Sequence, residues 1–338
     1  MPIKHFIKLS KPKRSAVYNT YWHFASKRQQ VFNNRNENPT GPWTNDPIIS
    51  KHRFTNIFRA SDRVSQFLIN LQYKEQDVKE IFFKTMLFKI FNKIDTYTFL
   101  EEELGQIKYI DFDFKQYDQL LRWRMEEGKT IYSAAYIMPS AGSVFGYKQK
   151  HSNHLALLHQ MMQTKFYDRL QDANSLEEVY QMFLSCPSFG TFLAFQYTID
   201  INYSSIINFS EMDFVVAGPG AINGISKCFD SFGDYSHADI IRLMADDQEK
   251  EFQRLEIEHP KLWGRELQLI DCQNLFCEVD KYLRGTHPEL SAGSGRSRIK
   301  QLYAANHSPL KFFFPPKWNI NNKIKETWQR TVTEGIFS

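Results

Sequence analysis

Two apolar segments with helical spacing, Leu176 to Ser185 and Thr191 to Asn202, are separated only by Cys186, Pro187, Ser188, Phe189 and Gly190. So short a connection with a Pro and a Gly in it forces a tight corner and places the backbone amides after Gly190 at a helix start. The first four N–H groups of a helix lack partners within it, and the helix dipole adds partial positive charge there. A helix start of this kind attracts phosphate.

Asp213 follows Gly190 by 23 positions and lies between Phe209 and Phe214, ahead of Gly218-Pro219-Gly220. A carboxylate among aromatic rings near a phosphate-gripping corner is a catalytic candidate. Asp200 is the second candidate. It lies between Ile199 and Ile201, where burial demands a partner such as Lys227 or Lys281.

The rest of the chain reads as helical. Apolar positions recur with a 3.6-residue period over 16–33, 75–93, 96–103, 114–127, 151–171, 236–254 and 267–284. Ser175, three residues before Glu178, is an N-cap for the first helix of the corner. Residues 34–47, rich in Asn, Pro and Gly, predict a loop, and Phe54, Ile57, Phe58, Val64, Phe67 and Leu68 predict one buried helical face. The short apolar run 131–139 fits a strand or a buried helix, and Gly285 and Pro288 mark a helix end. Few stretches alternate with period 2, so the expected class is all-α, as one large domain or two packed lobes over 16–305. A basic leader (1–15) and a basic extension (306–338) flank it.

With 338 residues and 42% hydrophobic content, the chain can bury a large core. Net charge is only +4, but basic residues gather at Lys4, Lys8, Lys11, Lys13 and Arg14 and again at Arg296, Arg298, Lys300, Lys311, Lys317, Lys323 and Lys325. Such clusters fit a polyanionic partner as well as solvated faces. Aromatic residues reach 15%, which supplies rings both for the core and for stacking on extruded bases. The four cysteines are scattered, with neither zinc nor iron–sulfur spacing, which with the absence of a signal peptide predicts a reduced, cytoplasmic protein. His151 and His154 share a helical face with no carboxylate or Cys at ligand spacing, so no metal and no cofactor is expected. No apolar run is long enough to span a bilayer. No G-x-x-x-x-G-K-[S/T] loop occurs, which argues against a stand-alone ATP-dependent kinase, and Gly218 to Gly224 lacks the βαβ setting of a dinucleotide loop.

The order of Pro-x-x-Gly corner, apolar helix and Asp resembles the helix-hairpin-helix DNA glycosylases. Four blocks extend the resemblance over roughly 16–305: WTNDPIISKHRFTNIFRASDR (43–63), GTFLAFQYTIDINYS (190–204), DFVVAGPGAINGISKCF (213–229) and DCQNLFCEVDKYLR (271–284). These look like the 5-hydroxymethyluracil DNA kinase helical domain and the α-glutamyl/putrescinyl-thymine pyrophosphorylases. They are also similar to anti-phage glycosylases that remove glucosylated hydroxymethylcytosine.

The resemblance implies a two-lobed helix-hairpin-helix glycosylase-like fold whose partner is double-stranded DNA carrying modified bases. Phe192 stands where bifunctional members carry the Schiff-base Lys, which implies a monofunctional glycosylase: base flipping, excision with Asp213 as the carboxylate, and an abasic site as part of anti-phage defence. Pro187, Ser188, Phe189, Gly190, Gly218, Gly220 and Lys227 would meet DNA. Arg53, Arg59 and Arg63 would grip phosphate or base, and Asn274, Glu278, Lys281 and Tyr282 would line the base pocket. The rival expectations are a transferase that displaces pyrophosphate from activated hydroxymethyluracil in DNA, and a non-catalytic reader of modified DNA.

Overall fold

The computed structural model describes residues 9–38, 40–291, 298–304 and 311–324. The basic positions Lys4, Lys8, Arg296 and Lys325 lie outside them. In chain order the helices are α1 (Tyr18–Glu37), α2 (Pro47–Lys51), α3 (Arg63–Tyr73), α4 (Val78–Phe91), α5 (Ile94–Leu104), α6 (Phe114–Glu126) and α7 (Gly142–Phe145). They continue with α8 (Lys150–Gln163), α9 (Phe166–Gln171), α10 (Leu176–Leu184), α11 (Thr191–Tyr203), α12 (Pro219–Cys228), α13 (His237–Arg254) and α14 (Leu269–Thr286). Among the described residues the one sheet pairs β1 (Lys13–Arg14) antiparallel with β2 (Phe229–Ser231). The protein is therefore predominantly helical, as its periodicity predicts.

The chain forms two compact units. One comprises the described residues of Met1–Arg59, Val215–Lys311 and Asn322–Ser338, the other Ala60–Phe214 and Phe312–Asn321. The second unit is built on α4 and α11. Every residue from Ile81 to Phe91 and from Leu193 to Tyr203 is buried, and a helix apolar all round belongs in a core. Lys317, from the segment that rejoins this unit late in the chain, donates to the carbonyls of Asn202, Ser204 and Ile207 and satisfies the end of α11. That basic residue is structural.

In the first unit α14 is the central helix, contacted by α1, α2, α12 and α13. The approach of α12 is so close that a Cβ on Gly224 would lie 2.2 Å from the Phe276 carbonyl oxygen, and one on Gly220 2.9 Å from Cys277 Sγ. The glycines expected to admit DNA phosphate thus serve helix packing at positions 220 and 224. Arg14 pairs with Glu251 and lies 4.3 Å over the Tyr18 ring, so this part of the basic leader is also fastened to the unit.

Several local expectations need correction. Helix α1 runs on through Glu37, and residues 53–58 are not helical. Instead His52 bridges to Leu302, Arg53 N–H donates to the Gln301 carbonyl and Tyr303 N–H to that of Lys51. Phe54, Ile57 and Phe58 are buried all the same, from an extended backbone. Residues 131–139 are neither strand nor helix, because hydrogen bonds to His154 fasten both ends of an irregular loop. The 151–171 helix is broken at Lys165, whose φ of +49° leaves the α region. Helix α14 continues through Gly285 to Thr286.

Candidate functional site

The corner between α10 and α11 forms as its residues dictate. Ser175 Oγ accepts the Glu178 amide at 3.1 Å and starts α10, and Phe189 N–H closes the turn on the Cys186 carbonyl at 3.3 Å. Ser188 adopts φ +70°, a left-handed conformation a Ser rarely takes, and its Oγ is buried without a hydrogen-bond partner among the described residues. Phe189 is the anchor, packed on Phe183 and edge-on to Tyr197 with centroids 5.5 and 4.8 Å away. Pro187 is half-buried, while Gly190 and Thr191 are exposed. No side chain caps α11, and a Cβ on Gly190 would meet nothing within 4 Å. The first amides of a 13-residue helix therefore start at an open, exposed position, an arrangement suited to an anion. Burial pushes the Cys186 thiol up to about 11, which favours its protonated form at neutral pH.

From this corner a line of side chains leads inward. Phe192, in the first turn of α11, stacks on Tyr136 at 5.7 Å and 6°. Tyr136, held at φ +57°, lies 5.0 Å over Lys89 Nζ. Lys89 in turn bonds Asp200 Oδ2 at 2.9 Å and Asn92 Oδ1 at 2.8 Å, with both charged side chains almost fully buried. Asp200 thus has a buried cation as partner, but it is Lys89. Lys227 pairs with Asp280 at 2.9 Å and Lys281 with Glu278 at 2.7 Å, so neither expected partner is used. Lys89 was missed because it is one of two lysines, with Lys84, set in the mainly apolar stretch IFFKTMLFKIF, where local spacing does not mark which one is paired with a distant acid. Asp213 is an exposed residue in a short turn, its N–H on the Ser210 carbonyl at 3.2 Å.

In the other unit, Asp46 organises a second cluster. It caps α2 by accepting from the amides of Ile48 and Ile49, and its second oxygen accepts from Tyr282 Oη at 2.7 Å and Lys27 Nζ at 3.0 Å. Burial raises its carboxyl, but the hydrogen bonds from Tyr282, Ile49, Lys27 and Ile48 outweigh that and hold it below the usual carboxylate range. Glu278 accepts the Thr55 amide at 3.2 Å, and Lys281 Nζ lies 4.6 Å over the Phe54 ring. Glu278, Lys281 and Tyr282 therefore make their contacts around Asp46, Thr55 and Phe54, and none of them lines either hollow beside Trp43. Asn274 is half-buried on the same helix. Arg53 is exposed, Arg59 is buried with its N–H on Asp271 at 2.8 Å, and Arg63 opens α3 in the other unit. Gly218 is buried at the start of α12. Asn45-Asp46-Pro47 was the overlooked signal, an N-cap acid before Pro at the first helical position.

Two hollows flank Trp43 in this unit. An apolar groove of about 210 Å³ includes Arg28, Trp43, His52, Phe54 and Tyr303 in its lining, and a polar hollow of about 510 Å³ includes Lys27, Asn45 and Asp46. Among the described residues no three His, Cys, Asp or Glu side chains gather as metal ligands. His151 faces Asp118 at 3.1 Å, and His154 is held between Tyr132 Oη and the Pro139 carbonyl.

A family model described as "5-hmdU DNA kinase, helical domain" matches residues 15–292. The 5-hmdU DNA kinase of Bacillus phage SP10 is 26% identical over 289 residues, covering 79% of this chain and 45% of the relative. The chain thus spans less than half the length of the curated relative it matches. No solved structure matches it. These findings overturn the expectation of a base-excising glycosylase and of hydrolysis at the glycosidic bond: the relative is by name a kinase, a group-transferring enzyme, and not a hydrolase.

Proposed function

The chain belongs to the 5-hmdU DNA kinase helical-domain family, and from that membership we propose that it serves group transfer on 5-hydroxymethyluracil-type bases in DNA. The match over 15–292 is the observation that carries this reading. The open corner at Gly190 supports it in physical terms. A helix start with no side-chain cap suits a DNA phosphate, and backbone contacts of that kind position a duplex without reading its sequence. In this reading the corner is a helix-hairpin-helix element of a glycosylase-like fold turned to a different reaction.

The chemistry assigned to this chain is transfer on a base already activated. An amine lone pair attacks the 5-methylene carbon, the bond from that carbon to the pyrophosphate oxygen breaks, pyrophosphate leaves with the electron pair, and the amine proton passes to solvent. Base and sugar stay joined throughout.

Affinity tests the substrate class. Binding to two duplexes that differ in one 5-hydroxymethyluracil for thymine, at matched salt, is expected to favour the hydroxymethylated duplex. Equal affinities would contradict the reading.

A further inference from the structure

The apolar groove beside Trp43 has no part in the corner or in the Lys89–Asp200 pair, and it lies wholly within the first unit. We propose that it is the seat of the everted pyrimidine base, a proposal that rests on the substrate class argued above and names the residues that read it. Three independent observations support it.

The first is size. Pockets for drug-sized ligands run to about 300–1,000 Å³. At about 210 Å³ the groove is smaller than these and matches a single ring.

The second is the character of its walls. Trp43 and Tyr303 are set edge to face with centroids 6.2 Å apart, and Phe54 adds a third ring held under Lys281. Tyr303 is brought there by the extended pairing of 301–303 with 51–53. Aromatic faces of this kind hold an unstacked base.

The third is polar. His52 Nδ1 is buried without a hydrogen-bond partner among the described residues, which costs stability unless a ligand atom or water meets it. Arg28, its guanidinium fixed by Asn56 Oδ1 at 2.6 Å and the Phe54 carbonyl at 3.4 Å, lines the same groove. Arg can only donate, and the Nδ1 of a neutral imidazole can accept. A uracil-type edge places a carbonyl oxygen beside an N–H and so offers one partner to each. On the other side of Trp43, the polar hollow with Lys27 accommodates the attached sugar and phosphate.

The test is fluorescence anisotropy with the full chain and the two duplexes named above, for wild type, His52→Ala and Tyr303→Ala, with Tyr303→Phe as the variant that keeps the ring. Removing a stacking ring or the imidazole is expected to lower affinity for the hydroxymethyluracil duplex about tenfold, leaving the thymine duplex bound as before, while Tyr303→Phe keeps the wild-type preference. Circular dichroism spectra matching wild type establish that the variants are folded, and Tyr303 and His52 are not core residues. A wild-type preference that survives both alanine variants would overturn the groove as the base seat and leave the substrate class standing. A wild type with no preference would overturn the substrate class, and this proposal with it.

Discussion

Buried charge at single residues sets much of this protein's behaviour. Lys89 and Asp200 meet at 2.9 Å inside the helical core of their unit, so removing one partner leaves an uncompensated charge. Lys89→Met is expected to destabilise by about 3–5 kcal/mol, and adding Asp200→Leu to recover most of that loss, as read by urea unfolding. His154 gives a pH effect with a definite sign. Burial, the largest cause, lowers its pKa from 6.5 to about 4, against the bond to the Pro139 carbonyl, with Lys150 and His151 adding to the lowering. Between those values the unfolded chain takes up a proton that the folded chain refuses. Its contribution to stability is complete above pH 6.5 and is lost as pH falls toward 4. Thermal unfolding followed from pH 7 to 4 should show that decline, and His154→Gln should flatten it. At this scale the sequence was partly legible. The apolar neighbours of Asp200 announced a buried acid, but its cation stands 111 positions earlier on α4, and no local spacing marks a pair so distant.

Elements explain why glycines of one sequence block play unlike roles. Gly224 lies where α12 crosses α14 at backbone distance, so Gly224→Ala forces Phe276 aside. The expected cost is at least about 1 kcal/mol, measured by chemical denaturation. Gly190 has open space around it and an ordinary φ of −91°. Gly190→Ala should therefore change stability by less than about 0.5 kcal/mol. It should nonetheless weaken binding to hydroxymethylated and ordinary duplexes alike, since a contact to the backbone carries no base identity. Gly190 caps the start of α11 while Gly224 lies inside α12, and the packing partner is what sets their roles apart. The corner itself was fully legible, with Ser175, Pro187 and Gly190 fixing α10 and α11 nearly to the residue. The 53–58 stretch was not, because its apolar spacing fits a helical face while the Arg53 N–H goes to Gln301 and the Thr55 N–H to Glu278, partners far along the chain that local spacing does not announce.

For the whole molecule, two discontinuous units arise from one chain. Residues 312–321 complete the unit of α3 to α11, where Lys317 satisfies three carbonyls at the end of α11, while 298–304 pair with the segment after α2 in the other. Basic clusters that read as polyanion surface are in part such fastenings. Family membership was legible from four separated blocks of sequence, but the reaction was not. An Asp near a corner fits a glycosylase and a transferase equally, and in the structure Asp213 is an exposed turn residue while Asp200 is neutralised by Lys89. The most direct test of the central claim is a nucleoside digest of duplex DNA carrying pyrophosphorylated 5-hydroxymethyluracil after incubation with the full chain and a primary amine. Mass spectrometry should find the pyrophosphorylated nucleoside replaced by its amine adduct, with every base still attached. Abasic sites in that DNA, or nucleosides left unchanged, would contradict the account.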